Sequence, residues 1–217
     1  MKHDFHLSYD IGALHLDVQA AFNDEIIVIS GENGAGKSTL LRCLAGLESA
    51  TGTIHINQRC WLDSSTGLNV ATEQRGMGFV WPAAVALPWL TVEQNILLGA
   101  KHDDDKNVHT LCENFALHHL LGRRASMLST GEAQRLALVR AMVGKPNLLL
   151  LDEPFSAQAP HVRRRFRAQL KTWQTQHNIP IIMVSHDAED ATSLAQQHWQ
   201  MCEGQLKVKN NDDTNAF

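Results

Sequence analysis

A single tyrosine, Tyr9, serves the whole 217-residue chain, and no apolar run approaches the roughly eighteen residues that a membrane-crossing helix needs. The N-terminus, MKHDFHLSYD, carries charges where a secretory leader would have its apolar segment, so no signal peptide is expected. Cysteine is sparse. Cys43, Cys60, Cys112 and Cys202 lie far apart without a C-x-x-C pair, which argues against a disulfide framework or thiolate zinc site and predicts buried thiols in a reducing compartment. Twelve histidines form no H-E-x-x-H and no Cys/His cluster. His118 and His119 are adjacent, so on a helix they diverge by about 100° and do not share a ligand. An excess of positive charge is missing too: nineteen Lys and Arg against twenty-three Asp and Glu give a formal net charge of −4. Nucleic acid is therefore not an expected partner. The local run Arg163, Arg164, Arg165, Arg167 lies in HVRRRFRAQLKTW, which reads as a helix with a solvated basic face. Repeats and low-complexity linkers are absent, and the chain reads as soluble and cytoplasmic.

What is present is an ordered alternation. DFHLSYDI and ALHLDVQAAF alternate apolar and polar residues and predict two antiparallel strands, with GTIHINQRCWL as another. EIIVIS (25–30), NLLLLDE (147–153) and IPIIMVSH (179–186) are continuous apolar runs that suit strands buried on both faces of a parallel sheet. KSTLLRCLAGLE and RRRFRAQLKTWQTQH between them have helical character, which predicts an α/β core. The middle of the chain is helical, with an acidic run at 103–105 expected in a solvated loop. The expected organisation is one domain: a core lobe at about 1–82 and 136–210, an inserted helical lobe at about 83–135, and a tail at 208–217 that frays.

GENGAGKST follows the first buried strand and opens a helix, and it fits G-x-x-x-x-G-K-[ST]. Gly31, Glu32, Asn33, Gly34, Ala35, Gly36, Lys37, Ser38 and Thr39 then form a loop whose N–H groups turn inward around a phosphate. Lys37 supplies a mobile charge for the terminal phosphates, and the Ser38 hydroxyl a ligand for Mg²⁺. LLLLDEP places a carboxylate at the C-terminal end of a buried strand, where such sheets bind ligands. Asp152 is assigned to the Mg²⁺ shell and Glu153 to activation of a water. VSHD ends the third apolar strand, and His186 is expected to bond a γ-phosphate and help hold that water.

LSTGEAQRLALVRAM adds a helix that begins at a capping box, Ser129 to Glu132, and continues with Leu136, Ala137, Arg140 and Ala141 at helical spacing. Gly131 in its first turn lets another group approach the backbone closely. An exposed helix N-terminus of this kind suits an anion.

The order GENGAGKST, LSTGEAQR, LLLLDEP, VSHD resembles the ATP-binding cassette family over about residues 5 to 206. The implied fold is α/β, a P-loop NTPase core with a mainly parallel sheet, an N-terminal antiparallel β subdomain and an inserted helical subdomain. By that resemblance LSTGE is a variant of the signature L-S-G-G-Q, with Thr130 and Glu132 substituted. Ser129, Thr130, Gly131 and Glu132 would meet the γ-phosphate of ATP held by a facing subunit, so a monomer has half-sites and a homodimer is expected. The family sets an aromatic ring against adenine; Tyr9 has nearly the right spacing, Phe5 is its rival, and packing roles for both remain open. RGMGFVWPAAVALPWLTVEQNI resembles the segment of bacterial importer cassettes that meets the permease. Residues 79–90 carry no charge and offer Trp81, Val85, Leu87 and Trp89; the other reading is a buried edge strand followed by a lobe connection. CWLDSSTGLNVATEQRGMGF looks like molybdate-type cassettes, whereas LLLLDEPFSA and MVSHDAEDA look like molybdate- and thiamine-type ones alike. By that resemblance the chain is expected to stop before any carboxy-terminal regulatory domain.

The resemblance implies ATP and Mg²⁺ as cofactors. It implies transmembrane permease subunits and an extracytoplasmic solute-binding protein as partners, and a peripheral place on the cytoplasmic side of the inner membrane. The chain departs from the family twice. Pro82 stands where a glutamine usually ligates Mg²⁺ and relays permease movement, and SAQA replaces S-A-L-D, so Ala159 takes the place of an aspartate.

Overall fold

The computed structural model describes residues 2–83, 85–100 and 105–209. β1 (His3–Ile11) and β2 (Leu14–Phe22) pair antiparallel, from His3↔Phe22 to Ile11↔Leu14. Phe5, Leu7, Leu16 and Val18 point inward while Asp4, His6 and Asp17 face solvent, the period-two pattern of a half-buried sheet. The stretch GTIHINQRCWL, expected as one strand, is two: β4 (Thr51–Ile56) and β5 (Arg59–Asp63). The chain reverses at Asn57 and Gln58, both left-handed at φ 50° and 63°, a two-residue turn that matches strand twist. Neither is glycine, so the turn left little trace in the sequence.

The remaining strands are β3 (Ile26–Gly31), β6 (Leu68–Asn69), β7 (Gly78–Val80), β8 (Leu149–Asp152), β9 (Ile181–Val184), β10 (Gln197–Cys202) and β11 (Gln205–Lys209). All join one sheet in the order β6-β5-β4-β1-β2-β11-β10-β3-β9-β8-β7, and from β10 to β7 the neighbours are parallel. The helices are α1 (Lys37–Ala45), α2 (Val92–Leu97), α3 (Asp105–Asn114), α4 (Thr130–Val143), α5 (Pro160–His177) and α6 (Ala188–Ser193). Of the acidic run at 103–105, Asp105 opens α3 rather than lying in a loop, and 103 and 104 fall outside the described residues. Val208 and Lys209, the first residues of the tail expected to fray, stand in β11; 210–217 fall outside the described residues.

The apolar runs divide between two cores. Ile27 and Ile29 of β3, Leu150 of β8, and Ile182 and Val184 of β9 pack with α1 and the first hairpin. Ile26, Val28, Leu149, Leu151, Ile181 and Met183 face the other way, onto Leu136, Val139 and Met142 of α4 and Phe166 and Leu170 of α5. Alternate side chains of one strand reach opposite faces, so a run covered on both sides must be apolar throughout. Cys43 and Cys112 are buried as expected, and burial pushes their thiols up to about 12 and about 11. Cys60 is half-buried and Cys202 exposed, against the expectation for all four. Among the described residues no helix is long and apolar enough to cross a membrane.

Register is what assembles the site. Ile29 pairs with Val184, and Val184 with Asp152. The loop after β3, the carboxylate ending β8 and the turn after β9 therefore leave the sheet at one level of one edge.

Candidate active site

At that edge a cleft of about 400 Å³ is lined by Asn33, Gly34, Gly36, Lys37, Ser38 and Thr39 together with Glu153 and His186. Gly31 begins the loop because β10 runs too close for anything larger: an added Cβ would lie 2.1 Å from the Met201 carbonyl oxygen. Lys37 is the first residue of α1, only 6% exposed, and folds back on its own loop. Its Nζ donates to the carbonyls of Gly31 at 2.8 Å and Glu32 at 2.7 Å. Burial pushes its amine below the ordinary lysine value, while the carboxylates of Glu153 and Asp152 pull it back up. An anionic ligand entering the cleft would take over donors that now bond the loop.

Asp152 is 2% exposed, and its Oδ1 has no hydrogen-bond partner. Burial pushes its carboxyl up, and a hydrogen bond with Ser38 pulls it down. A buried carboxylate oxygen without a donor, beside a hydroxyl, suits a hard cation that completes its shell with phosphate and water oxygens. These residues fit Mg²⁺.

Glu153 has a left-handed backbone at φ 51°, a conformation costing on the order of 1–3 kcal/mol unless its surroundings hold it. They do. Its N–H donates to the Val184 carbonyl at 3.0 Å, and its carbonyl accepts from Gln134 Nε2 at 3.0 Å and Ser156 Oγ at 3.1 Å. The kink turns the side chain toward β9, where Glu153 Oε1 lies 3.2 Å from His186 Nε2.

The α4 N-terminus stands apart from this cleft. Glu132 Oε2 accepts the N–H and hydroxyl of Ser129, each at 2.8 Å, and the Glu132 N–H donates back to Ser129 Oγ at 3.3 Å. The Ser129 hydroxyl hydrogen is thus engaged within the chain. A Cβ added at Gly131 would meet the Ala157 carbonyl oxygen at 3.2 Å and Gln158 Nε2 at 3.3 Å. The group that approaches this glycine is the chain's own loop after Glu153. Gln158 Nε2 also donates to the Gly131 carbonyl at 2.8 Å.

Sequence reasoning had no signal for Gln134 and Gln158, buried amides that join α4 to the Glu153 loop. It also missed Ile11 and Leu14, at the tip of the first hairpin, which line the cleft. The structure does not bring Tyr9 to that cleft: its phenol donates to Glu48 Oε2 at 2.7 Å, and Glu48 in turn pairs with Arg42 at 2.9 Å. Phe5 is buried in the core against Phe22 and Trp199.

The uncharged segment at 79–90 begins as an edge strand and continues with exposed apolar side chains. Phe79 and Val80 belong to β7, at the sheet edge, whereas Trp81, Val85 and Trp89 are exposed, Trp89 by 64%. Leu87 is half-buried, its N–H bonded to Asn95 Oδ1 at 2.8 Å. Leu97 and Leu98, exposed at the end of α2, add apolar surface that the sequence reading had not included.

A family model described as ABC transporter matches residues 14–156. The chain belongs to the ABC transporter family. The molybdenum import ATP-binding protein ModC of Pseudomonas fluorescens is 35% identical over 195 residues, covering 88% of this chain and 54% of that protein. The molybdate/tungstate import ATP-binding protein WtpC of Archaeoglobus fulgidus is 33% identical over 204 residues, covering 92% of this chain and 82% of that protein. The chain spans about half the length of the ModC proteins it matches. A solved ATP-binding subunit of an ABC transporter superimposes with a TM-score of 0.84 at 22% identity, covering 98% of this chain and 91% of that one. A dimeric ATP-binding cassette bound to ADP and Pi gives 0.80 at 23% identity, covering 97% and 98%. The fold is that of an ABC cassette.

Proposed function

We propose that this ABC chain is the ATP-binding and ATP-hydrolysing subunit of a membrane importer for a small solute or oxyanion, and that it dimerises on ATP. The observation that supports it best is the Glu153–His186 pair at the lip of the Lys37 cleft. In this reading Lys37 and the loop N–H groups bind the phosphates, and Ser38 and Asp152 hold Mg²⁺, which neutralises phosphate charge. Glu153 accepts the proton of the attacking water, and His186 Nε2 holds that water against the γ-phosphate. Ser129, Thr130, Gly131 and Glu132 would serve the partner's nucleotide, for which Ser129 must release Glu132.

The relatives named for molybdate and tungstate import make an oxyanion the leading cargo. Trp81, Val85, Trp89, Leu97 and Leu98 supply an apolar surface for a transmembrane permease, with a solute-binding protein on the far side. The chain would then sit peripherally on the cytoplasmic face of the inner membrane. The division into a core lobe (1–82, 136–210) and a helical lobe (83–135) belongs to the same reading.

A second reading, a regulatory or structural subunit that closes on ATP and hydrolyses it poorly, draws on Pro82 and Ala159. Ala159 occupies the N-cap of α5 with no side-chain bond, where an aspartate would cap the helix. Light scattering of Glu153→Gln with ATP and Mg²⁺ tests the dimeric site. The expected mass doubles; a monomer at saturating ATP, repeated with permease present, contradicts it. Phosphate release compared between wild type and Glu153→Gln separates the two readings: release that the exchange removes supports the first, and release that it leaves unchanged supports the second.

A further inference from the structure

The basic run on α5, expected to be a solvated face, turns two of its four arginines inward. Arg164 is exposed, but Arg163 is half-buried and the Arg167 side chain is 3% exposed. Arg167 meets three carboxylates from a short stretch after β9. Its Nη2 donates to Asp187 Oδ2 at 2.7 Å, Nη1 lies 2.7 Å from Glu189 Oε2, and Nε donates to Asp190. Arg163 also donates to Asp187. Asp190, buried like Arg167, accepts the hydroxyl of Ser185, whose Oγ accepts the Asp187 N–H at 3.0 Å. Asp187 Oδ1 then accepts the Glu189 N–H at 2.9 Å and caps α6.

These bonds fasten both chain neighbours of His186. The imidazole itself is 44% exposed and reaches out to Glu153. A ring that open takes its place from its backbone, and its backbone is held from α5. A guanidinium suits the task because its rigid fork fixes several carboxylates in one arrangement, which a lysine ammonium does not. Without it, three carboxylates within four residues would repel one another and open the turn.

We propose that Arg167 is a positioning residue for His186: it gathers Asp187, Glu189 and Asp190 against α5 and so fixes the turn that presents the imidazole to Glu153. The inference rests on the hydrolytic reading of that pair.

Two variants test it in the full chain. Arg167→Lys keeps the charge and loses the fork; Ser185→Ala breaks the link between Asp187 and Asp190 without stranding a charge. The first readout is the His186 ring resonance in nucleotide-free, ¹³C-histidine-labelled protein, assigned by its absence in His186→Gln. Both variants should shift or broaden it, and Arg165→Gln, at an exposed position of the same run, should leave it as in wild type. The second readout is turnover: kcat should fall about tenfold, within the range that small displacements of a catalytic group produce, while KM for ATP holds. An unmoved resonance and a wild-type kcat in the folded variants overturn the proposal. If Arg167→Lys does not fold, Ser185→Ala decides. A wild type without turnover refutes the hydrolytic reading instead, and the resonance alone then judges Arg167.

Discussion

His186 Nε2 stands 3.2 Å from Glu153 Oε1, joining the ends of two strands that the register sets level. Glu153 gets there by a left-handed backbone that Gln134 and Ser156 hold from behind. Contacts of the chain itself therefore hold the pair, as the preorganised hydrolytic site proposed here requires.

Lys37→Ala should remove most nucleotide affinity. Charge-assisted bonds contribute roughly 1.5–3 kcal/mol, so calorimetry should find ATP binding weaker by about 10- to 100-fold. Equal affinity in wild type and variant would remove the phosphate assignment.

Gly31→Ala should fail for a reason unrelated to phosphate. Its Cβ would press within 2.1 Å of the Met201 carbonyl oxygen, and backbone cannot yield as a side chain does. A loss of about 3 kcal/mol or more is expected, read as a lower urea midpoint without nucleotide. An unchanged midpoint would show that β10 moves aside freely.

Much of this molecule was legible in its sequence, and the limits follow from physical causes. The runs of β3, β8 and β9 were readable because strands covered on both faces must be apolar throughout. The loop at 31–39 was readable as part of the cleft because its glycine and lysine spacing is specific. The turn at Asn57 and Gln58 was hidden, since two non-glycine residues adopt left-handed angles there. Arg167 was misread because a surface-type residue is buried only through partners twenty or more positions away, which no local pattern encodes. Ile11 and Leu14 were missed for a similar reason: the hairpin tip reaches the cleft through sheet geometry.

The capping box at α4 gives a pH dependence. The Ser129 N–H, and after it the Ser129 hydroxyl, hold the Glu132 carboxyl below the ordinary glutamate value. A carboxyl depressed in the folded state stabilises it above the unfolded pKa and loses that contribution as pH falls through the folded one. The difference in thermal midpoint between wild type and Glu132→Gln should be steady from about pH 6 to 8 and shrink below about pH 4. A difference that stays constant into that acid range would show the box does not depend on the charge.

Pro82 has no side-chain oxygen and no backbone N–H, and its φ is fixed near about −65°. It cannot enter a metal shell as a glutamine does. Slow turnover with near-normal ATP affinity is expected of the wild type, because a small displacement of the attacking water can cost about a hundredfold. Pro82→Gln should raise kcat with little change in KM. A wild-type rate that falls on this substitution would show that another group has taken the glutamine's place.

Phosphate release from ATP with Mg²⁺, measured for wild type and Glu153→Gln at equal and saturating nucleotide occupancy, bears most directly on the claim that this chain hydrolyses ATP through Glu153. The exchange keeps shape and removes the proton acceptor. Release should be measurable in the wild type and slower by about a hundredfold or more in the variant. Equal rates in the two proteins would contradict the assignment.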